Sequence, residues 1–549
     1  MVCLSLAPLS SANAAQFFND WAATNLNTVP LQSGPLDDPD NDGAANLAEF
    51  AFGTDPLAGN GLGPAILPSF TGANGFYGVE LLELEGHQLG VQIDVDAAAD
   101  LNHWIRPWWF RTVTNSLPSD PPGSIREALT TYLPGTNLFF ARGVITLLQA
   151  GPETATHYVA TNGSDSTAGT SINNPYATLA KAVSVATAGQ LVYVRGGTYP
   201  VSQKISLTHS GTKAQPIRVS AYPGEVPVFD FSGQQVSTNG ISISGSWWHL
   251  SGLVITNANG NGINISSHSN IIERCVFVGC RNTGLNMGSS TGTNFPTGNL
   301  ILNCDSFRNY DAIGHGQDAD GFGAKFNLGA GNVFSGCRAW ENADDGFDLW
   351  MATNTVVISN CWAFGNGSNF WNDGSFTGNG NGFKMGGNYV PGAHLLVGCL
   401  AFRNIGTGGN GIDQNNNSAG LTIDQNTSWA NRVRNFSLNH GSNTVPHIVR
   451  NNLSIGGAGD LFQSGSILIS NSWQVITSPA ANTNDVISID TTFATAPRRD
   501  DGSLPEIPLM RPVPGGRLVD RGTTNVGIAY YGSAPDLGAF ESPTWDGLH

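Results

Sequence analysis

Charge is what this chain has least of. It carries 24 Lys and Arg and 41 Asp and Glu in 549 residues, or 12%, about half the share of an ordinary soluble domain. Long charged helices and coiled coils are excluded, because they need Glu, Lys and Arg in quantity. Long apolar runs are missing too: nothing approaches the ~20 residues of a membrane-spanning helix, so no such span is expected. Cations are outnumbered, giving a net charge of −17. A nucleic-acid partner is not expected, since phosphate neutralisation needs a basic surface. The seven Cys include no CxxC pair. What the chain has instead is Gly, 69 residues, with 40% hydrophobic residues and 13 Trp. That is too apolar for a solvated coil and fits a large β-rich protein with many tight turns.

The N-terminal part has three textures. Residues 1–14 hold a short apolar run ending in Ala12-Asn13-Ala14, read as the remnant of a signal peptide. Export follows, to an extracellular or periplasmic location in a bacterium. Residues 15–62 contain Asp38-Pro39-Asp40-Asn41-Asp42-Gly43 and Glu49. Oxygens at loop positions 1, 3 and 5, Gly at 6 and Glu at 12 have the spacing of a calcium loop. The segment resembles dockerin and thrombospondin type 3 repeats, with Asp38, Asp40, Asp42 and Glu49 holding a structural Ca²⁺. Residues 63–150 alternate apolar and polar residues, as in Val91-Gln92-Ile93-Asp94-Val95, and read as a small β-sandwich-like module. Its Trp104, Trp108 and Trp109 are read as core aromatics rather than a sugar platform.

The region 156–545 decides the fold class. Cys304-Asp305-Ser306-Phe307-Arg308-Asn309 returns as Cys337 to Asn342, Cys361 to Asn366, Cys399 to Asn404 and Asn426 to Asn431. Cys275 with Cys280 begins the series and Asn452 continues it. A recurring unit with variable insertions, short strands and many Gly and Asn predicts an all-β, parallel β-helix solenoid. Equivalent Cys then stack inside as small hydrophobes, and the Asn form a ladder. The amphipathic stretch 177–186 is expected to plug the N-terminal end before a first strand at Leu191–Val194. Beyond about residue 475 a Pro-rich tail is expected to pack along the coils.

Carboxylates, being scarce, stand out where they cluster. Asp318-Ala319-Asp320-Gly321-Phe322 lies about one coil before Asp344-Asp345-Gly346-Phe347-Asp348, and the step from Asp320 is taken to Asp344. Stacked coils lie ~4.8 Å apart, and carboxylates that close do not all stay ionised without a cation. Oxygen ligands select Ca²⁺. One coil on, Asn381-Gly382-Phe383-Lys384 repeats the Gly-Phe register and brings a Lys beside the metal. An ammonium next to Ca²⁺ is expected to have a lowered pKa and to serve as a base.

These segments make residues 156 to 541 resemble the family 9 polysaccharide lyases, the pectate and rhamnogalacturonan lyases on a right-handed parallel β-helix. The resemblance implies that Asp320, Asp344, Asp345 and Asp348 bind the catalytic Ca²⁺ and that Lys384 is the Brønsted base. It implies β-elimination on an acidic plant polysaccharide, pectate above all, with rhamnogalacturonan I as the alternative. Lys325, Arg403, Asn416 and Arg434 are candidates for substrate contact, and a monomer is expected. A polygalacturonase-type hydrolase is the nearest rival, but its Gly-His-Gly follows the paired Asp, whereas Gly314-His315-Gly316 precedes them. A non-catalytic carbohydrate-binding adhesin is the other.

Overall fold

A computed structural model describes residues 155–288, 295–439, 445–456, 459–499, 502–524, 526, 530 and 532–542. It also describes residue 57 and the backbone of strands between residues 2 and 147. Asp38, Asp40, Asp42, Glu49 and the three Trp lie outside the described residues. The strands Ile66–Ser69, Phe76–Leu84, Phe110–Thr114 and Ser124–Tyr132 form an antiparallel sheet. The apolar run read as an export signal contributes the strand Val2–Leu6, parallel to Phe140–Leu147.

From His157 onward the chain winds into three parallel sheets of ten, ten and twelve strands. Sheet 1 runs from Gly197–Pro200 to Leu453–Ile455, and sheet 2 from Ile205–Leu207 to Leu461–Phe462. Sheet 3 runs from His157–Val159 to Ile467–Ile469. This is the expected β-helix. Strands of two to five residues suffice because each coil buries its inward side chains against the coils above and below. Phe322, Phe347 and Phe383 stack at 5.0 Å between successive ring centroids, one per coil. A Gly precedes each Phe because the coils approach too closely for a side chain. A Cβ on Gly346 would lie 2.6 Å from the Gly382 carbonyl oxygen.

The Cys and Asn repeats have the predicted roles. Six buried thiols are free, and backbone N–H groups of Cys275, Cys337 and Cys361 donate to Cys304, Cys361 and Cys399 Sγ one coil on. Asn426, Asn452 and Asn471 continue that column. A second ladder runs from Asn309 through Asn342, Asn366 and Asn404 to Asn431. A third, unforeseen column enters sheet 3. Trp248, Asn270 and Asn299 donate N–H to Asn270, Asn299 and Asn332, and then Val356 and Leu421 donate to His394 and His447 Nδ1.

Accepting a backbone proton requires neutral imidazoles, and burial pulls the pKa of His394 down to about 3 and of His447 to about 4. The unfolded chain therefore binds more protons than the folded one below pH ~6.5. Stability is complete above that value and falls as the pH drops toward 4. His394→Asn, which keeps an acceptor as in the Asn coils, is expected to lower the pH midpoint of acid unfolding followed by circular dichroism. An unchanged midpoint would contradict this account.

The first solenoid strand is His157–Val159 rather than Leu191–Val194, which it pairs with as an edge strand. The end plug is the helix Leu179–Val185, capped by the Thr178 side chain and burying Leu179, Ala182 and Val183. The tail packs on sheet 1: Leu509, Met510, Leu518 and Leu537 cluster with Trp362, Leu400 and Phe402. Asp305 pairs there with Arg338 and with Arg498 from the tail.

Candidate active site and metal centre

Sheet 2 positions the site. Its register aligns Phe322, Phe347, Phe383, Ile412 and Phe436 on the inside. One residue further along each strand, facing out, stand Gly323, Asp348, Lys384, Asp413 and Ser437 in one column. Two residues before each Phe stand Asp320, Asp345, Asn381, Asn410 and Arg434. Their carbonyls accept N–H from Gly284, Gly321, Gly346, Gly382 and Gly411 in turn. The sequence reading is therefore corrected by one residue: Asp320 stacks on Asp345, whose N–H it accepts at 3.2 Å. Asp344 aligns with Ala319. The step follows the Phe column, which the count from Asp320 to Asp344 ignored.

Asp320, Asp344 and Asp345 nevertheless place carboxylate oxygens within 4.8 Å of one another, all buried. Asp348 joins them through Lys325 Nζ, which lies 2.6 Å from Asp320 and 2.9 Å from Asp348. Lys384 Nζ lies 3.0 Å from Asp345 and 3.5 Å from Asp348. Four carboxyl groups thus face two ammonium groups, an excess of two negative charges when all are ionised. Burial, with Asp348 and Asp345 beside it, lifts the Asp320 carboxyl to about 7 against the pull of Lys325. Burial, then Asp345 and Asp320, hold Asp344 well above the usual range. Burial also raises Asp348, but the two Lys outweigh it and leave the group low. For Lys384 burial favours the neutral amine, yet Asp345, Asp348, Asp344 and Asp320 together hold it well above its ordinary value. The expected depression is that of a site holding a cation; without one, the Asp cluster keeps the proton on Lys384.

The residues fit such a cation. Asp345 Oδ2 is buried and accepts no hydrogen bond of good geometry, although Lys384 stands at ion-pair distance. An all-oxygen donor set carrying two surplus charges is the chemistry of a hard divalent ion. Neighbouring oxygens are held by hydrogen bonds. Asp345 Oδ1 accepts from Asn381 N at 2.7 Å and Nδ2 at 2.9 Å. Asp344 Oδ1 accepts from Asn379 N at 2.7 Å, and Asp320 Oδ2 from Thr283 Oγ1 at 3.0 Å.

Of the four substrate-contact candidates, the structure brings Lys325 into the cluster. Arg434 stands in the Asp320–Asp345 column, two coils beyond Asn381. Asn416 lies in the turn after Asp413 and accepts the Tyr389 N–H. Arg403 lies elsewhere, over the Trp429 ring and bonded to Thr491 of the tail. Sequence reasoning missed Asn381, although Asn381-Gly382-Phe383 repeats the Asp-Gly-Phe pattern and signals its column. It also missed the contact between residues 310–315 and the insertion 369–379. Trp371 stacks on Tyr310 at 4.4 Å, and Asp373 receives Tyr310 Oη and His315 Nδ1 at 2.8 and 2.9 Å.

Comparison with known proteins places the chain in a family. Residues 157–452 match the family model described as the Pel9A-like, right-handed beta helix region. The chain is 42% identical over 398 residues to pectate lyase L of Dickeya chrysanthemi, covering 70% of this chain and 90% of that one. It is 35% identical over 362 residues to pectate lyase L of Paenibacillus polymyxa, covering 62% and 78%. The crystal structure of pectate lyase Pel9A superposes with a TM-score of 0.65 at 40% identity, covering 71% and 97%. A rhamnogalacturonan lyase superposes at 0.55 and 26% identity, covering 65% and 96%. The chain therefore belongs to the Pel9A-like right-handed β-helix family and is a polysaccharide lyase.

Proposed function

We propose that the chain is a calcium-dependent pectate lyase that cleaves polygalacturonate by β-elimination with Lys384 as the base. The observation that carries this reading is the register: Lys384 stacks on Asp348, inside a buried carboxylate cluster with two surplus negative charges. The pectate lyases that the chain resembles supply the substrate class.

Asp320, Asp344, Asp345 and Asp348 would hold the ion. A Ca²⁺ held there would supply the positive charge that neutralises a uronate carboxylate and favours the enolate-like charge developing on the sugar. Lys384, as the free amine, takes the proton from C5. The electrons of that C–H bond form the C4–C5 double bond. The pair of the C4–O bond leaves with the glycosidic oxygen, which is protonated from water. One product carries a new reducing end and the other a 4,5-unsaturated uronide. Lys325, held by Asp320 and Asp348, keeps these two carboxylates oriented and supplies a fixed positive charge beside the substrate carboxylate. The acidic chain thereby meets an acidic polymer through local cations.

Further assignments belong to the same reading. Asp38, Asp40, Asp42 and Glu49 hold a second, structural Ca²⁺; Arg434 and Asn416 line the substrate path, and Arg403, away from sheet 2, does not. The protein acts outside the cell as a monomer. A rhamnogalacturonan I lyase is the second reading, favoured by the similarity to the solved enzyme of that name.

Product analysis tests the reading. Polygalacturonate digested with Ca²⁺ is expected to yield oligomers that are lighter by one water than hydrolysis products and absorb in the ultraviolet. Unsaturated products from rhamnogalacturonan I but not polygalacturonate would transfer the assignment to the second reading. Products with water added across the bond would overturn both.

A further inference from the structure

Sheet 2 has a third outward column, formed by the residues three beyond each inward Phe, and it places Trp350 diagonally next to Lys384. The indole centroid lies 5.2 Å from Lys384 Nζ. Trp350 N–H donates to Asp348 Oδ1 at 2.9 Å, and its carbonyl accepts the Phe326 N–H at 2.9 Å. The residue is thus anchored at both backbone ends to the strands that carry the site. Its ring lies against the backbone of the next coil at Gly387, where an added Cβ would fall 2.1 Å from indole Cε3. Only glycine leaves that slot open. Asn388 Nδ2 reaches Met351 Sδ at 3.7 Å and holds the two segments together. The ring nevertheless remains half-buried rather than enclosed, and exposed Tyr389 follows on the same segment.

A large flat side chain has been wedged in place, given a glycine to lean on, and left partly open beside Lys384, one of the two ammonium groups in the carboxylate cluster. Core packing does not account for this, because Trp350 is outside the buried core. We infer that Trp350 is the stacking platform of the subsite in which the proton is removed, receiving the apolar C–H face of a hexuronate ring. This rests on the reading of Lys384 as the group that faces C5. The negative face of an indole attracts the C–H hydrogens on one side of a pyranose, and a fixed ring does so at little entropic cost. Anchored at Asp348 and leaning on the segment after Lys384, the platform sets the tilt of the sugar relative to both carboxylate pole and base. Specificity for the ring configuration follows: a pyranose with an axial hydroxyl on the stacked face would be held off the indole.

Binding is measured on the Lys384→Ala protein, which removes turnover, with hexagalacturonate as ligand, Ca²⁺ present, and calorimetry as readout. Adding Trp350→Ala is expected to weaken binding by about tenfold, and Trp350→Phe by much less, since a smaller flat face remains. In the otherwise intact enzyme, Trp350→Ala is expected to raise KM and leave the pH profile of kcat in place. Trp350→Leu, which fills the slot without a flat face, gives the same reading if the Ala variant loses folded signal. Unchanged binding in the double variant would overturn the platform. So would a shifted pH profile with unchanged binding, because the ring would then only shield the Lys384 ammonium. Should the wild type make no unsaturated product, the reading of Lys384 falls, while the binding comparison still decides the platform.

Discussion

Replacing Lys384 by Ala is expected to lower kcat by on the order of 10³-fold, the usual worth of a positioned general base, while Ca²⁺ binding persists or tightens. The two halves of this result have one origin. Lys384 Nζ stands 3.0 Å from Asp345 and 3.5 Å from Asp348, so in the metal-free protein it is the competitor of a cation for those oxygens. Removing it takes away the proton acceptor and the competing charge together. Lys384→Arg is not expected to restore turnover, because a guanidinium keeps its proton under all working conditions. Stopped-assay kinetics and calcium calorimetry on the same preparations check both halves. Retained turnover in Lys384→Ala would remove the base. Lost calcium binding in a folded protein would show Lys384 to be structural.

Asp344→Asn is expected to weaken Ca²⁺ binding by ~10²-fold or more, since even outer-shell partners of a metal are worth 10–100-fold. The same substitution is expected to raise the thermal midpoint of the chelated protein. Asp344 has no Lys contact of its own, and burial, then Asp345 and Asp320, lift its pKa well above the usual range. A carboxyl raised on folding withholds stability at every pH above its unfolded value, and that loss grows as the pH rises toward the folded value. An amide of the same shape still accepts the Asn379 N–H and carries no charge. Thermal unfolding in chelator and in Ca²⁺ reads the effect: the variant should be the more stable in chelator and the less stable in Ca²⁺. A midpoint lowered in both conditions would mean that the carboxylates are not in excess.

Much of the solenoid was legible because each coil repeats the same local chemistry. Cys and Asn recur where a buried side chain must accept a backbone N–H from the coil before, and the variable insertions leave those columns intact. Asp320, Asp345, Asp348 and Lys384 were legible for the same reason, since Gly-Phe marks the register beside them. The error of one residue at Asp344 arose from counting residues instead of following the Phe column. The His394 and His447 column escaped notice because a different acceptor replaced Asn and two coils, at Val356 and Leu421, carry none. Trp350 was illegible in principle: its neighbour in the next coil is Gly386, so nothing in the repeat announces it. Arg403 illustrates the converse. It shares a coil position with other charged residues, but follows a strand of sheet 1, where it stays exposed and bonds Thr491 of the tail.

The most direct measurement is a continuous record of ultraviolet absorbance from polygalacturonate digested by the full chain, first stripped of metal with chelator and then supplied with Ca²⁺. The account predicts a flat trace in chelator and a steady rise on addition of Ca²⁺, absent when Lys384→Ala replaces the wild type. A rise that persists in chelator, or that Lys384→Ala retains, would contradict it.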